Sequence, residues 1–110
     1  MTTKETILNL TDYQSEAAKF ALPVSPLERV FGFMEEAGEV AGAFKRMERG
    51  DYDVPTFSAK LAGELGDVLW YLTQICTDNG WSLQDIAEDN IKKLDSRKTR
   101  GLILGTGSNR

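Results

Sequence analysis

Two acidic motifs carry the chemistry open to this chain: Glu35-Glu36-Ala37-Gly38-Glu39 and, further along, Glu64-Leu65-Gly66-Asp67. In each, a pair of carboxylates is spaced i, i+3 (Glu36 with Glu39, Glu64 with Asp67), so on a helix both members face the same way. Two such helices packed together would gather four or five carboxylates in one place. In a partly dry site that many negative charges repel unless they are protonated or bridged by a cation. Hard divalent ions that take oxygen ligands are the natural bridge, Mg²⁺ above all, with Mn²⁺ as a substitute.

The elements that must position these residues are marked by their boundaries. Thr11-Asp12-Tyr13-Gln14, Ser25-Pro26-Leu27-Glu28 and Ser82-Leu83-Gln84-Asp85 each set a capping hydroxyl three residues before a side chain that can reach back, the second with proline at the first helical position. Glycine, proline and short polar residues break the chain at 22–25, 50–55 and 79–80. The expected helices span 11–20, 26–48, 56–79 and 82–99. On the second, Leu27, Val30, Phe31, Met34, Ala37, Ala41 and Phe44 form the i, i+3, i+4, i+7 stripe of a core-facing helix, and Leu61, Leu65, Val68, Leu72, Ile75 and Cys76 do the same on the third. Glu64 then projects at the margin of that apolar face, in line with Tyr71. With no competing β pattern, the fold is expected to be all-α, a four-helix bundle in a single domain over 1–110, with a helical core at 11–99 and a glycine-rich tail at 100–110. A bundle this small with an extensive apolar face would gain stability by pairing with a copy of itself.

Composition removes several function classes. The chain has no histidine, which excludes a Ser-His-Asp triad, His-ligated zinc, a haem on a proximal histidine and a Glu-x-x-His di-iron bundle. The lone Cys76 cannot form an internal disulfide and reads as core. A net charge of −4 argues against duplex nucleic acid as a ligand. Met1 to Leu10 does not read as a signal peptide, and no run approaches membrane-spanning length, so the expected location is cytoplasmic.

The pattern E-E-x-x-E followed by E-x-x-D inside a small helical chain resembles the MazG-like members of the all-α nucleoside triphosphate pyrophosphohydrolases. The resemblance runs from about Ser25 to Arg97 and includes Phe44-Lys45-Arg46, Asp67-Val68-Leu69-Trp70-Tyr71-Leu72 and Asn90-Ile91-Lys92-Lys93-Leu94-Asp95-Ser96-Arg97. Many MazG-like chains continue after this arginine with Tyr-Pro; here the continuation is Lys98-Thr99-Arg100-Gly101.

The resemblance implies a Mg²⁺-dependent enzyme that cleaves a ribo- or deoxyribonucleoside triphosphate between its α and β phosphates, releasing a monophosphate and pyrophosphate, in the service of nucleotide-pool housekeeping. It implies Glu36, Glu39, Glu64 and Asp67 as metal ligands. Glu35 is an outer ligand, a general base for water or a surface residue. Asn90, Lys93 and Arg97 share a face of the last helix and suit phosphate oxygens, as do Lys45 and Arg100, or else they are ordinary polar surface. Tyr71, with Trp70 and Phe44, could stack on a base or belong to the core, while Trp81 is expected to pack the turn before the last helix. The tail from Gly105 to Arg110 could close over the phosphates or be an unstructured end. The expected assembly is a homodimer or homotetramer. Cleavage of dUTP or of phosphoribosyl-ATP is the nearest enzymatic alternative, and a non-catalytic acidic interaction module is the alternative of another class.

Overall fold

The structure, a computed structural model, describes residues 9–101. The chain runs α1 (Leu10–Ala17), a 3-10 turn (Ala18–Phe20), α2 (Pro26–Glu48), α3 (Val54–Asp78) and α4 (Leu83–Thr99). Among the described residues there is no strand.

The capping signals act as the sequence suggests for α2 and α4. Ser25 Oγ accepts from the Glu28 amide at 3.1 Å and Ser82 Oγ from the Asp85 amide at 3.2 Å. A cap of this kind contributes about 1 kcal/mol. At α1 the cap differs from expectation: Asn9 Oδ1, not Thr11, accepts from the Asp12 amide at 2.8 Å. Asp53 caps α3 through the Thr56 amide, also at 2.8 Å. Gly50, Gly80 and Gly101 follow helix ends with φ of 82°, 72° and 72°, where a side chain would be strained.

α2 and α3 form a long antiparallel hairpin, the most extensive interface in the chain. α1 is fastened across its end by two polar anchors. Gln14 donates to the Trp81 carbonyl at 2.9 Å and Thr77 Oγ1 at 3.1 Å, and accepts from the Leu83 amide at 2.8 Å. Trp70 Nε1 donates to the Ala17 carbonyl at 3.1 Å. The buried Arg29 ties the segment before α2 to α3, donating to Asp78 at 3.1 Å and to the Leu22 carbonyl at 3.1 Å, with its guanidinium 6.0 Å from the centre of the Trp70 ring.

The buried residues gather mostly where α1, α3 and α4 meet, Ala17, Thr73, Gln74, Cys76, Leu83 and Arg97, with Arg29 and Ala43 on α2. Cys76 is therefore core, as its stripe suggests. The apolar stripe of α2 is not. Leu27, Phe31 and Met34 are each about 60% exposed, and Phe44 and Leu65 are more than half exposed. The less exposed face of α2 is a different stripe, Arg29, Gly32, Phe33, Glu36, Val40, Ala43, Arg46 and Met47, which mixes charged, small and apolar side chains. The expectation of a core-facing apolar stripe is thus corrected for a single chain: Leu27, Phe31 and Met34 face outward, the stripe that meets α3 mixes charged and apolar residues, and of the expected stripe Phe44 meets Phe57 of α3 edge to face at 5.0 Å. Trp81 is 55% exposed and lines a cleft with Gly80, Ser82, Asp85, Ile86 and Asp89 at the turn before α4.

Candidate functional site

The seam of the hairpin has three successive parts. In the middle, Glu36 from α2 meets Glu64 and Asp67 from α3, with one carboxylate oxygen of each within 4.8 Å of the others. The i, i+3 spacing on α3 and the half-buried position of Glu36 produce this trio directly. Burial pushes the Glu36 carboxyl up to about 7, helped by a hydrogen bond to Glu64 and by the charges of Asp67, Glu64 and Glu35. Glu64 Oε2 is buried, and no amide, hydroxyl, ammonium or guanidinium donor among the described residues reaches it. A buried acceptor without a donor is costly. A hard cation would satisfy it, and three carboxylates converging from two helices are the donor set Mg²⁺ or Mn²⁺ takes. The residues present therefore fit a divalent ion.

Two turns before Glu36 on α2 and one turn after Asp67 on α3, a cavity of about 170 Å³ is lined by Phe20, Leu22, Val24, Glu28, Arg29, Trp70 and Tyr71. Gly32 is what lets Tyr71 stand there, because a Cβ at Gly32 would collide with the ring. Tyr71 and Trp70 meet edge to face at 5.0 Å. On the other side of the trio, a polar cavity of about 260 Å³ is lined by Glu39, Ala43, Arg46, Tyr52, Lys60 and Glu64. Glu64 belongs to both the trio and this cavity.

The residues singled out in the sequence fall as follows. Glu36, Glu64 and Asp67 come together. Glu39 is exposed and lies outside that trio, on the wall of the polar cavity. Glu35 is exposed, yet its charge bears on Glu36. Tyr71 lines the aromatic cavity. Lys45 is exposed and lines neither cavity; Arg46 beside it does. Asn90 and Lys93 are exposed on α4, Arg97 is buried, and Arg100 folds back on Ser96 at 3.1 Å; none of these four lines the trio or the two cavities in a single chain. The expectation for Gly105 to Arg110 lies outside the described residues.

Sequence reading missed Arg46, Lys60, Tyr52 and Tyr13. Burial, then the charge of Asp67, raises the Tyr13 phenol, which brings α1 into the electrostatics of the trio. For two of them a signal existed: Arg46 is seven residues after Glu39 and Lys60 four before Glu64, so each shares the helix face of a site carboxylate.

Comparison with known proteins gives a family match. The family model described as the MazG nucleotide pyrophosphohydrolase domain matches residues 25–101. The chain is 41% identical over 81 residues to the Gene 37 protein of Mycobacterium phage L5, covering 72% of this chain and 71% of that protein. No solved structure matches.

Proposed function

The chain belongs to the MazG nucleotide pyrophosphohydrolase family, and on that premise we propose that it hydrolyses a nucleoside or deoxynucleoside triphosphate between the α and β phosphates, with a divalent cation, Mg²⁺ first, held by Glu36, Glu64 and Asp67. The observation that carries the reading is the buried, donorless Glu64 Oε2 inside a carboxylate trio contributed by both helices of the hairpin. When bound, the ion would polarise phosphate oxygens and acidify the attacking water.

The seam supports a particular orientation of substrate. The α2 residues of the first cavity, Glu28 and Arg29, lie two turns before Glu36, about 10–12 Å along the axis, and Ala43 of the second lies two turns after it, about 10 Å along. A nucleoside placed in the cavity of Tyr71 and Trp70 sets the α-phosphate at the trio and the rest of the polyphosphate toward Arg46 and Lys60. Water adds its oxygen to the α-phosphorus, and the bridging oxygen leaves with pyrophosphate. Glu35, exposed beside Glu36, is the group to take the water's proton. Glu39 holds the wall between trio and tail as an outer ligand. Lys45, Asn90, Lys93, Arg97 and Arg100 contribute to phosphate binding only if a second copy carries them to the site.

That second copy is part of the proposal. The exposed apolar face of Leu27, Phe31, Met34 and Phe44 on α2, with Leu65 and Leu69 on α3, is what a homodimer would cover, and burial of each such side chain contributes about 1.5–3 kcal/mol. No helix among the described residues is long and apolar enough to cross a membrane. We place the enzyme in the cytoplasm, where nucleoside triphosphates are made and used.

The test is release of monophosphate and pyrophosphate from a panel of ribo- and deoxyribonucleoside triphosphates, dUTP and phosphoribosyl-ATP included, with Mg²⁺ and with chelator. Metal-dependent formation of both products from one panel member supports the reading. Silence across the panel from folded protein refutes it in favour of a non-catalytic acidic module.

A further inference from the structure

The polar cavity beyond Glu64 holds a cation whose position depends on a glycine. Arg46, half-buried at the end of α2, folds its guanidinium back over the preceding turn, so that one nitrogen lies 3.0 Å from where a Cβ of Gly42 would stand. The same point is 4.0 Å from a Glu39 carboxylate oxygen. Yet Arg46 makes no ion pair or hydrogen bond with any side chain among the described residues. Glycine inside a helix is unfavourable by roughly 0.5–1 kcal/mol relative to alanine, and Gly42 differs from the helical Gly38, Gly63 and Gly66, which face open space, in that its missing side chain leaves room for a guanidinium. Nothing about the backbone calls for a glycine, because Gly42 is not among the positive-φ glycines. Its neighbour Ala43 is buried in the hairpin, whereas Gly42 faces the arginine.

The other walls are of mixed charge, with Glu39 and Glu64 on the side of the trio and donors for an anion opposite. Lys60 adds a second cation, also without a partner among the described residues, and Tyr52 a phenol hydroxyl. The loop that carries Tyr52 is fixed by the Asp51 amide donating to the Arg46 carbonyl at 2.9 Å and by the Arg49–Asp51 ion pair at 2.6 Å. We infer that Gly42 is the seat of the Arg46 guanidinium, and that Arg46 placed there binds the outgoing diphosphate part of the substrate, so that this pair sets the preference for a triphosphate over shorter phosphate chains. The inference rests on the proposed reaction and deepens it: a diphosphate bound with its α-phosphate at the trio would bring one phosphate fewer to Arg46 and Lys60.

The probe is inorganic pyrophosphate with Mg²⁺, its binding measured by calorimetry on wild type, Arg46→Ala, Gly42→Ala and the double variant, beside KM and kcat for a triphosphate and the matching diphosphate. Losing a charge-assisted pair at a half-exposed site weakens pyrophosphate about tenfold in Arg46→Ala and raises KM for the triphosphate more than for the diphosphate. Gly42→Ala favours the helix, so its melting temperature is expected to be no lower than wild type. A methyl there shifts the guanidinium by a few tenths of an ångström, and pyrophosphate binding falls about threefold, a fraction of the full pair. In the double variant the loss equals that of Arg46→Ala alone, since the glycine acts only through the arginine. Unchanged pyrophosphate affinity in Arg46→Ala and Gly42→Ala overturns the inference, as does a double variant whose losses multiply. Should wild type hydrolyse no triphosphate, the proposed reaction fails, and the calorimetric comparison still decides whether Arg46 on its Gly42 seat binds pyrophosphate.

Discussion

The carboxyls of Glu36 on α2 and Glu64 on α3 share a hydrogen bond across the hairpin, and with Asp67 beside them the pair keeps a proton on Glu36 up to about pH 7. An ordinary glutamate, with its value near 4.5, has released that proton in the unfolded chain. Between these limits the folded state binds more protons than the unfolded one. The stability tied to this proton is therefore complete below about pH 4.5 and is lost as pH rises through about 7. Mg²⁺ competes with the same proton. Thermal melts should show the metal-free protein less stable at about pH 8 than at about pH 5.5, and Mg²⁺ raising the melting temperature more at the higher pH. Equal metal stabilisation at both values would mean that the proton and the ion do not share a site.

Removing single carboxylates should give a ranking. Glu36→Gln, Glu64→Gln and Asp67→Asn each take a charge from the trio and should lower kcat by roughly 10²–10³-fold while leaving helicity unchanged. Glu39→Gln, from the cavity wall, should cost about tenfold or less. Circular dichroism and product assays on the same samples check this. Equal losses at all four positions would put Glu39 among the direct ligands.

Two helix-interior glycines predict opposite stability effects. At Gly32 the added methyl collides with the Tyr71 ring, which must shift away from α2 and from its edge-to-face contact with Trp70, so Gly32→Ala should destabilise by about 1–3 kcal/mol in spite of its better helix propensity. At Gly42 the methyl meets the free end of a flexible arginine, so the fold keeps its stability. Denaturant unfolding of the two variants separates them.

Association should depend on the exposed face of α2. Phe31→Glu or Met34→Glu places a charge on that face without touching the seam, and should convert the assembly to monomer in light scattering while each chain stays helical. Unchanged mass would show that this face is not the contact between copies.

The helix boundaries were legible because their causes are local. Ser25 with Pro26 and Ser82 act through a hydrogen bond spanning three residues, and the α2 limits of 26–48 match the structure. Asn9 was missed because Thr11 offers the same chemistry two residues later. The carboxylate trio was readable from i, i+3 spacing, but the separation of Glu39 from it was not, since spacing fixes a face and not the tilt between two helices. Which face of α2 meets α3 was also beyond periodicity. The apolar stripe and the mixed stripe are both continuous, and only the packed hairpin shows that Glu36, Ala43 and Arg46 turn inward while Phe31 and Met34 turn out. Arg46 and Lys60 looked like any helix cation until the hairpin placed them around one cavity.

The most direct test of the account follows an oxygen atom. Hydrolysis of a triphosphate substrate in ¹⁸O-labelled water, read by phosphorus NMR or mass spectrometry, reports which phosphorus the water attacks. With the nucleoside at Tyr71, the carboxylate trio at the α-phosphate and Arg46 at the tail, the account predicts the label in the monophosphate and none in the pyrophosphate. Label in the pyrophosphate, or products that are a diphosphate and inorganic phosphate, would contradict it.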